Sequence, residues 1–255
     1  MREGFKKVEC GKKVKLSIIL LFIVTAGIIA FISNKEKTRI LNVFNNKEPK
    51  KAHNLIVIDP GHGGFDPGAV FGKIKESVIN LEIAKRAKEY FEMFGFKVIL
   101  TRYNEDDLSE NDAKAHDLKK RKQIVLENEP EVFIFISIHL NSFRVNKYLG
   151  AQVFYEKSNE EAKKLASWVQ NELKYMPNGL VNKRMPKPID VYMLRGLKIP
   201  AILVECGFMS NQMELSLLQT KKYQDWLSYS ILKGVLNYLD SKGDVEDGRY
   251  KDTYR

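Results

Sequence analysis

Apolar runs of strand length alternate with longer stretches of helical period along most of this chain. "LIVID" (55–59) leads to a helix over Val78–Phe94, then "KVILT" (97–101), a helix over roughly Ala113–Glu129, and "VFIFISIH" (132–139). The rhythm continues with "AQVFY" (151–155), a helix from about Asn159 to Lys174, "VYML" (191–194), "AILVE" (201–205) and a last helix from about Lys221 to Leu239. Such alternation predicts βαβ units in a single α/β domain with five or six strands. "VFIFISI" and "AILV" are apolar at successive positions, so helices should cover both faces of a parallel or mixed sheet. In the first helix Leu81, Ala84, Ala87 or Lys88, Phe91 and Phe94 keep the spacing of a buried stripe, with Lys85, Glu89 and Glu92 opposite. The long irregular stretch from Met176 to Pro188 contains three prolines.

A different pattern precedes the domain. "LSIILLFIVTAGIIAFIS", within the uncharged stretch Leu16–Asn34, gives 18 mostly apolar positions, enough to cross a bilayer core of about 30 Å. Arg2, Lys6, Lys7, Lys12, Lys13 and Lys15 stand before it, so the positive-inside bias places residues 1–15 in the cytosol and everything after Lys35 outside. A cleaved signal peptide is the competing reading, but no clean small-x-small site follows the apolar run. The polar, Asn/Lys-rich residues 35–52 read as a linker, residues 53–240 as the domain, and 241–255 as a polar, disordered tail.

Composition changes this picture in two places. The formal charge of +10 is concentrated at the N-terminus, where the first 50 residues hold 11 Lys+Arg against 4 Asp+Glu and the remainder holds 31 against 28. Without a basic stripe carrying interleaved aromatics, nucleic-acid binding is not expected. The two cysteines, Cys10 and Cys206, fall on opposite sides of the membrane in this topology, so an exported domain must be held by its core alone.

Ligands of α/β sheets gather beyond the carboxyl ends of the strands. "LIVID" delivers His62 within four residues of its end, "VFIFISI" delivers His139 and "AILV" delivers Glu205. If those strands are neighbours, two imidazoles and a carboxylate converge, the composition of a zinc site or of its base. Gly61, Gly63 and Gly64 let the backbone turn sharply and leave room beside the His62 ring for a metal with an open position, although a plain turn would use the same glycines. Cys206 follows Glu205 directly and on a strand should point to the opposite face, as a small core residue. His53 and His116 sit in polar, lysine-rich surroundings and read as surface residues.

"DPGHGGFDPGA", "SIHLNS" and "VECGFMSN", in this order and spacing, resemble the three signatures of the zinc-dependent N-acetylmuramoyl-L-alanine amidases of the type 3 fold, over about residues 53–240. The resemblance implies one Zn²⁺ held by His62, Glu76 and His139, with Glu205 as the second catalytic group. Glu76 stands 14 residues after His62 at the start of a helix, where the dipole favours a carboxylate; its rival Glu82 should face solvent. The implied reaction is hydrolysis of the amide between N-acetylmuramic acid and L-alanine of the peptidoglycan stem peptide. "GAQVFY", "VYMLRGLKIPAILVE" and the N-terminal anchor are most similar to the spore-cortex members, which implies a place in the forespore envelope, a first step toward muramic-δ-lactam, a downstream deacetylase, and the lipoprotein activator some relatives need. Asn141 could orient site or substrate. Lys183, Arg184, Lys187 and Arg195, on or after the long loop, could hold the carboxylates of a stem peptide, or be a solvated loop. A zinc exopeptidase using the same ligands, or a non-catalytic wall-binding protein, are the alternatives.

Overall fold

The computed structural model describes residues 54–105, 114–129, 131–243, 245–246 and 249–250. The basic segment 1–15, the apolar segment 16–34, the linker 35–52 and His53 lie outside the described residues. Among the described residues no helix is long and apolar enough to cross a membrane.

Six strands form one sheet: β1 (Leu55–Pro60), β4 (Lys97–Leu100), β5 (Val132–Asn141), β6 (Gln152–Tyr155), β7 (Lys187–Pro188) and β8 (Ala201–Phe208), in the order β4-β1-β5-β8-β6-β7. The first four in that order are mutually parallel; β6 pairs antiparallel to β8 and parallel to β7. The sheet is therefore mixed. Between β1 and helix α1 (Glu76–Met93) a small hairpin joins β2 (Val70–Phe71) to β3 (Ile74–Lys75). Helices α2 (Lys114–Glu127), α3 (Glu160–Glu172), α4 (Gln212–Leu218) and α5 (Lys221–Ser241) complete the domain. Beyond them β9 (Val245–Glu246) and β10 (Arg249–Tyr250) pair with each other.

Successive residues of each inner strand feed two separate cores, as continuous apolar runs require. Ile56, Ile58, Ile134, Ile136, Ile202 and Val204 pack with α1, α3 and α5 through Ile83, Ala87, Leu165, Val169, Ile231 and Val235. Leu55, Val57, Phe135, Ala201 and Leu203 face the other way, against Leu118 and Val125 of α2 and against Met193, Leu194 and Leu197. Side chains removed from water on both faces contribute about 1.5–3 kcal/mol each for Leu, Ile, Val or Phe, and the described part of the domain rests on this burial, its one cysteine being buried and free.

"VYML" does not form the sixth strand. Leu194 N–H returns to the Val191 carbonyl at 3.1 Å, and the segment's apolar side chains cap the second core where only one helix otherwise covers it. The sixth strand is Lys187–Pro188, inside the stretch expected to be irregular. Proline is tolerated there because an edge strand need not donate on its outer side. Helix α4 and the β2–β3 hairpin also emerge only in the structure; Asn211 caps α4 by accepting from Glu214 N–H at 3.1 Å.

Candidate metal and catalytic centre

β5 lies between β1 and β8, and this adjacency assembles the site. His139 and Glu205 are partners in the β5–β8 register, and the β1–β5 ladder ends at Pro60 opposite Ile138, two residues before His62. Helix α1 starts at Glu76 and brings that carboxylate over the strand ends. His62 Nε2 lies 3.3 Å and His139 Nδ1 3.2 Å from Glu76 Oε1, and one ligand atom from each of the three residues falls within 4.8 Å of the others. Glu82 is instead half exposed, 3.9 Å from Lys85.

Each group is held from behind. Asp66 Oδ2 lies 2.9 Å from His62 Nδ1, which turns the ring's other nitrogen toward Glu76. Glu76 accepts from Leu140 N–H at 3.0 Å, Ala69 N–H at 2.9 Å and the Asn80 amide at 3.3 Å. Burial alone would disfavour both charged forms. The two histidines nevertheless hold Glu76 far below the usual carboxylate range, while Glu76 and Asp66 hold His62 above its ordinary value. The carboxylate and the His62 imidazole thus favour each other's charged forms, and because a metal takes its histidine ligands neutral, metal binding there competes with protons.

The donor set fits a divalent metal. Two imidazoles and a carboxylate are a common three-ligand arrangement for a catalytic ion, and metal–ligand distances of about 2.0–2.1 Å make the edge of a tetrahedron about 3.3 Å, close to the two separations from Glu76 Oε1. Asp66 supplies the outer carboxylate that such ligating histidines use to fix their tautomer.

The glycines serve neighbouring side chains. A Cβ on Gly61 would lie 2.1 Å from His139 Cε1, and one on Gly63 would lie 2.9 Å from Arg102 Nε. The volume left by the missing Cβ atoms of Gly61 and Gly63 is thus taken by those two side chains, one of them in the metal-ligand cluster itself. His62 itself has φ 64, in the left-handed region that only a few per cent of non-glycine residues occupy, Asn, Asp and His most often among them. Gly61→Ala is accordingly expected to push the His139 ring out of place, lowering turnover at least tenfold while costing about 1–3 kcal/mol of stability from overpacking; steady-state kinetics and urea unfolding check both.

Glu205 is half-buried, and its Oε2 is shielded from solvent without a hydrogen-bond partner among the described residues. Burial pushes its carboxyl up to about 7, Glu76 adding to the effect and His139 and His62 opposing it. A carboxylate poised there can take up and release a proton near neutral pH. Cys206 points into the opposite core, with burial raising its thiol.

The remaining expected residues separate. Asn141 ends β5, pairs with Phe208 and accepts Met209 N–H on its backbone carbonyl at 2.8 Å. Arg184 lies over the Phe208 ring at 4.3 Å and donates to the Leu149 carbonyl and the Gln152 side chain at 3.0 and 2.9 Å; Gln152 stands opposite Glu205 in the antiparallel ladder. Lys187 is exposed on the edge strand opposite Phe154, and Lys183 is exposed. Arg195 pairs with Asp190 at 2.8 Å in the segment leading to the amino end of β8, away from Glu205. Of the described surface candidates, His116 is exposed.

Sequence reasoning missed Asp66, Asn80, Asp59, Arg102 and Arg121. Asp66 sits inside the glycine-rich stretch, and Asn80 is one turn beyond Glu76 on the same helix face. Arg102 follows the end of β4, where the strand-end rule would have found it.

A family model described as N-acetylmuramoyl-L-alanine amidase matches residues 56–237. The germination-specific N-acetylmuramoyl-L-alanine amidase of Bacillus subtilis (strain 168) is 40% identical over 196 residues, covering 74% of this chain and 81% of that protein. Among solved structures, the CwlD amidase from Clostridioides difficile in complex with the GerS lipoprotein matches with a TM-score of 0.70 at 38% identity, covering 74% of this chain and 99% of that one. An N-acetylmuramoyl-L-alanine amidase from Clostridium difficile 630 matches with a TM-score of 0.66 at 33% identity, over 76% of this chain and 100% of that one.

Proposed function

The chain belongs to the N-acetylmuramoyl-L-alanine amidase family and is an amidase of peptidoglycan; from that premise we propose that it works as a zinc enzyme on spore cortex, with His62, Glu76 and His139 as metal ligands and Glu205 as the proton carrier. The observation that carries this reading is the convergence of a two-histidine, one-glutamate cluster on a strand end whose register neighbour is a shielded carboxylate. Zinc held there would supply Lewis acidity that polarises the scissile carbonyl and acidifies water. Glu205 takes the proton from the attacking water and delivers it to the nitrogen of L-alanine as the amide bond to the lactyl group of N-acetylmuramic acid breaks. Its shielded Oε2 can hold that proton between the two transfers. Asp66 keeps His62 in the tautomer that presents Nε2 inward.

Arg184, stacked on Phe208 and bonded to the residue opposite Glu205, is the basic side chain best placed to hold a carboxylate or carbonyl of the stem peptide, and Asn141, which pairs with Phe208 at the end of β5, is the second candidate. Lys187 and Arg195 are less suited, one on an outer edge and the other paired with Asp190.

The cortex assignment rests on the name of the Bacillus subtilis relative and on the similarity to CwlD. That solved complex supports a lipoprotein partner for this chain. The proposed product, a muramic acid stripped of its peptide, is the one a deacetylase would need to close the δ-lactam. The apolar segment 16–34 would anchor the enzyme with its domain on the extracytoplasmic side, in the forespore envelope.

Digestion of purified cortex and vegetative peptidoglycan by the detergent-solubilised protein, with zinc and with a chelator, tests the reading by mass spectrometry. Intact stem peptides and unmodified glycan strands are expected with zinc and a preference for cortex. Release of single amino acids would instead indicate an exopeptidase, and equal activity in chelator would exclude the metal role.

A further inference from the structure

We infer that Arg102 and Arg121 are positioning residues for the metal-ligand cluster: together they fix the backbone that aims His62 at Glu76 and His139. The inference rests on the zinc reading above and adds to it two residues that touch neither metal nor substrate. Both guanidiniums are almost wholly inside, the residues being 2% and 1% exposed. Buried ion pairs are weak evidence of stabilisation, because desolvation offsets much of their attraction. Here the partners they choose say more.

Those partners are three successive carbonyls of the His62 turn. Arg102 donates to Pro60 O through Nε at 3.0 Å and to Gly61 O through Nη2 at 3.1 Å. Arg121 donates to Pro60 O through Nη1 and to His62 O through Nη2, both at 2.7 Å. The β1 ladder ends at Pro60, with Gly61 N–H still bonded to the Ile138 carbonyl at 2.9 Å; the Gly61 and His62 carbonyls lie past it, the first also accepting from Asn80 at 3.1 Å, and His62 occupies the left-handed region that needs outside support to persist.

The same two side chains reach the elements that carry the other ligands. Arg102 Nη2 also bonds the carbonyl of Ser77, the residue after Glu76, at 2.8 Å. Arg121 Nη1 bonds Asp59 Oδ1 at 3.0 Å, and the second oxygen of that buried carboxylate accepts from Ser137, two residues before His139, at 2.8 Å. Thr101 Oγ1 donates to Asp59 at 2.6 Å, and Asp117 orients Arg121 from α2. One buried network therefore spans the β1 turn, the start of α1 and the end of β5. Only a planar guanidinium presents its donors as a fork able to serve several carbonyls at once; lysine keeps the charge and loses the fork.

Arg102→Lys and Arg121→Lys are expected to keep a cooperative unfolding transition while zinc affinity, measured in the full chain by competition with a chromophoric chelator, falls about 10–100-fold, the usual effect of losing an outer partner of a metal site. Cobalt-loaded variants should also show altered visible absorption, which a loss of general stability alone would not produce. Wild-type affinity and wild-type cobalt spectra in both variants would overturn the inference. If a lysine variant does not fold, Asp117→Asn carries the test, since it leaves both arginines in place and loosens Arg121; zinc weakened several-fold supports the role and unchanged zinc overturns it. Failure of the wild-type protein to bind zinc or cobalt would instead strike the metal reading itself.

Discussion

Replacing Glu205 by glutamine is expected to lower muropeptide hydrolysis about 10²–10⁴-fold, the usual worth of one positioned acid–base group, and to leave bound zinc unchanged. Glutamine fills nearly the same volume on β8, so the strand and its pairing with β5 should survive. It can neither take a proton from water nor return one to the leaving amine. The position is built for transfer: Oε2 is shielded and unpartnered among the described residues, and burial raises the carboxyl to about 7, where gaining and losing a proton cost little near neutral pH. A neutral amide also removes the burial cost of the carboxylate, so the unfolding midpoint should stay the same or rise. Single-turnover kinetics on a defined muropeptide, with elemental analysis of the same preparation, gives the answer. A variant that keeps zinc and turns over at the wild-type rate would take Glu205 out of the mechanism.

The part of this centre that sequence could reveal is the part set by strand ends. His62, His139 and Glu205 each stand just past an apolar run, so their convergence needed only β1, β5 and β8 to be neighbours. What holds them was hidden for physical reasons. Arg121 lies in the lysine-rich run "KKRKQ", where nothing local distinguishes a buried cation from a solvated one; only the packing of α2 against the sheet makes the difference. Gly61 carries no sign that its missing Cβ makes way for a ring 78 residues later. β7 is two residues long and ends in proline, so it has no period to detect, and its place follows from the edge β6 leaves open. "VYML" misled in the opposite sense, because four residues rich in apolar side chains suit a capping turn as well as a strand.

Removing His139 or His62 should produce the complementary outcome to Glu205→Gln: a folded protein without metal. In His139→Ala the cluster is left with one imidazole and one carboxylate, and zinc affinity should fall by more than the 10–100-fold typical of losing an outer partner, so that the ion does not survive gel filtration and elemental analysis finds a small fraction of one zinc per chain. Activity should vanish with it. The fold should persist because His139 is half-buried at the end of β5, outside both hydrophobic clusters, and because Leu140 N–H and Asn80 still hold Glu76 in place. Loss of the His139 contact leaves Glu76 less favoured as the anion, which costs stability but does not open the core. The two experiments together separate holding the metal from moving the proton, since one variant keeps zinc and loses rate while the other loses both. Stoichiometric zinc in both His62→Ala and His139→Ala would show that the ion sits elsewhere, and the same result would detach Arg102 and Arg121 from it.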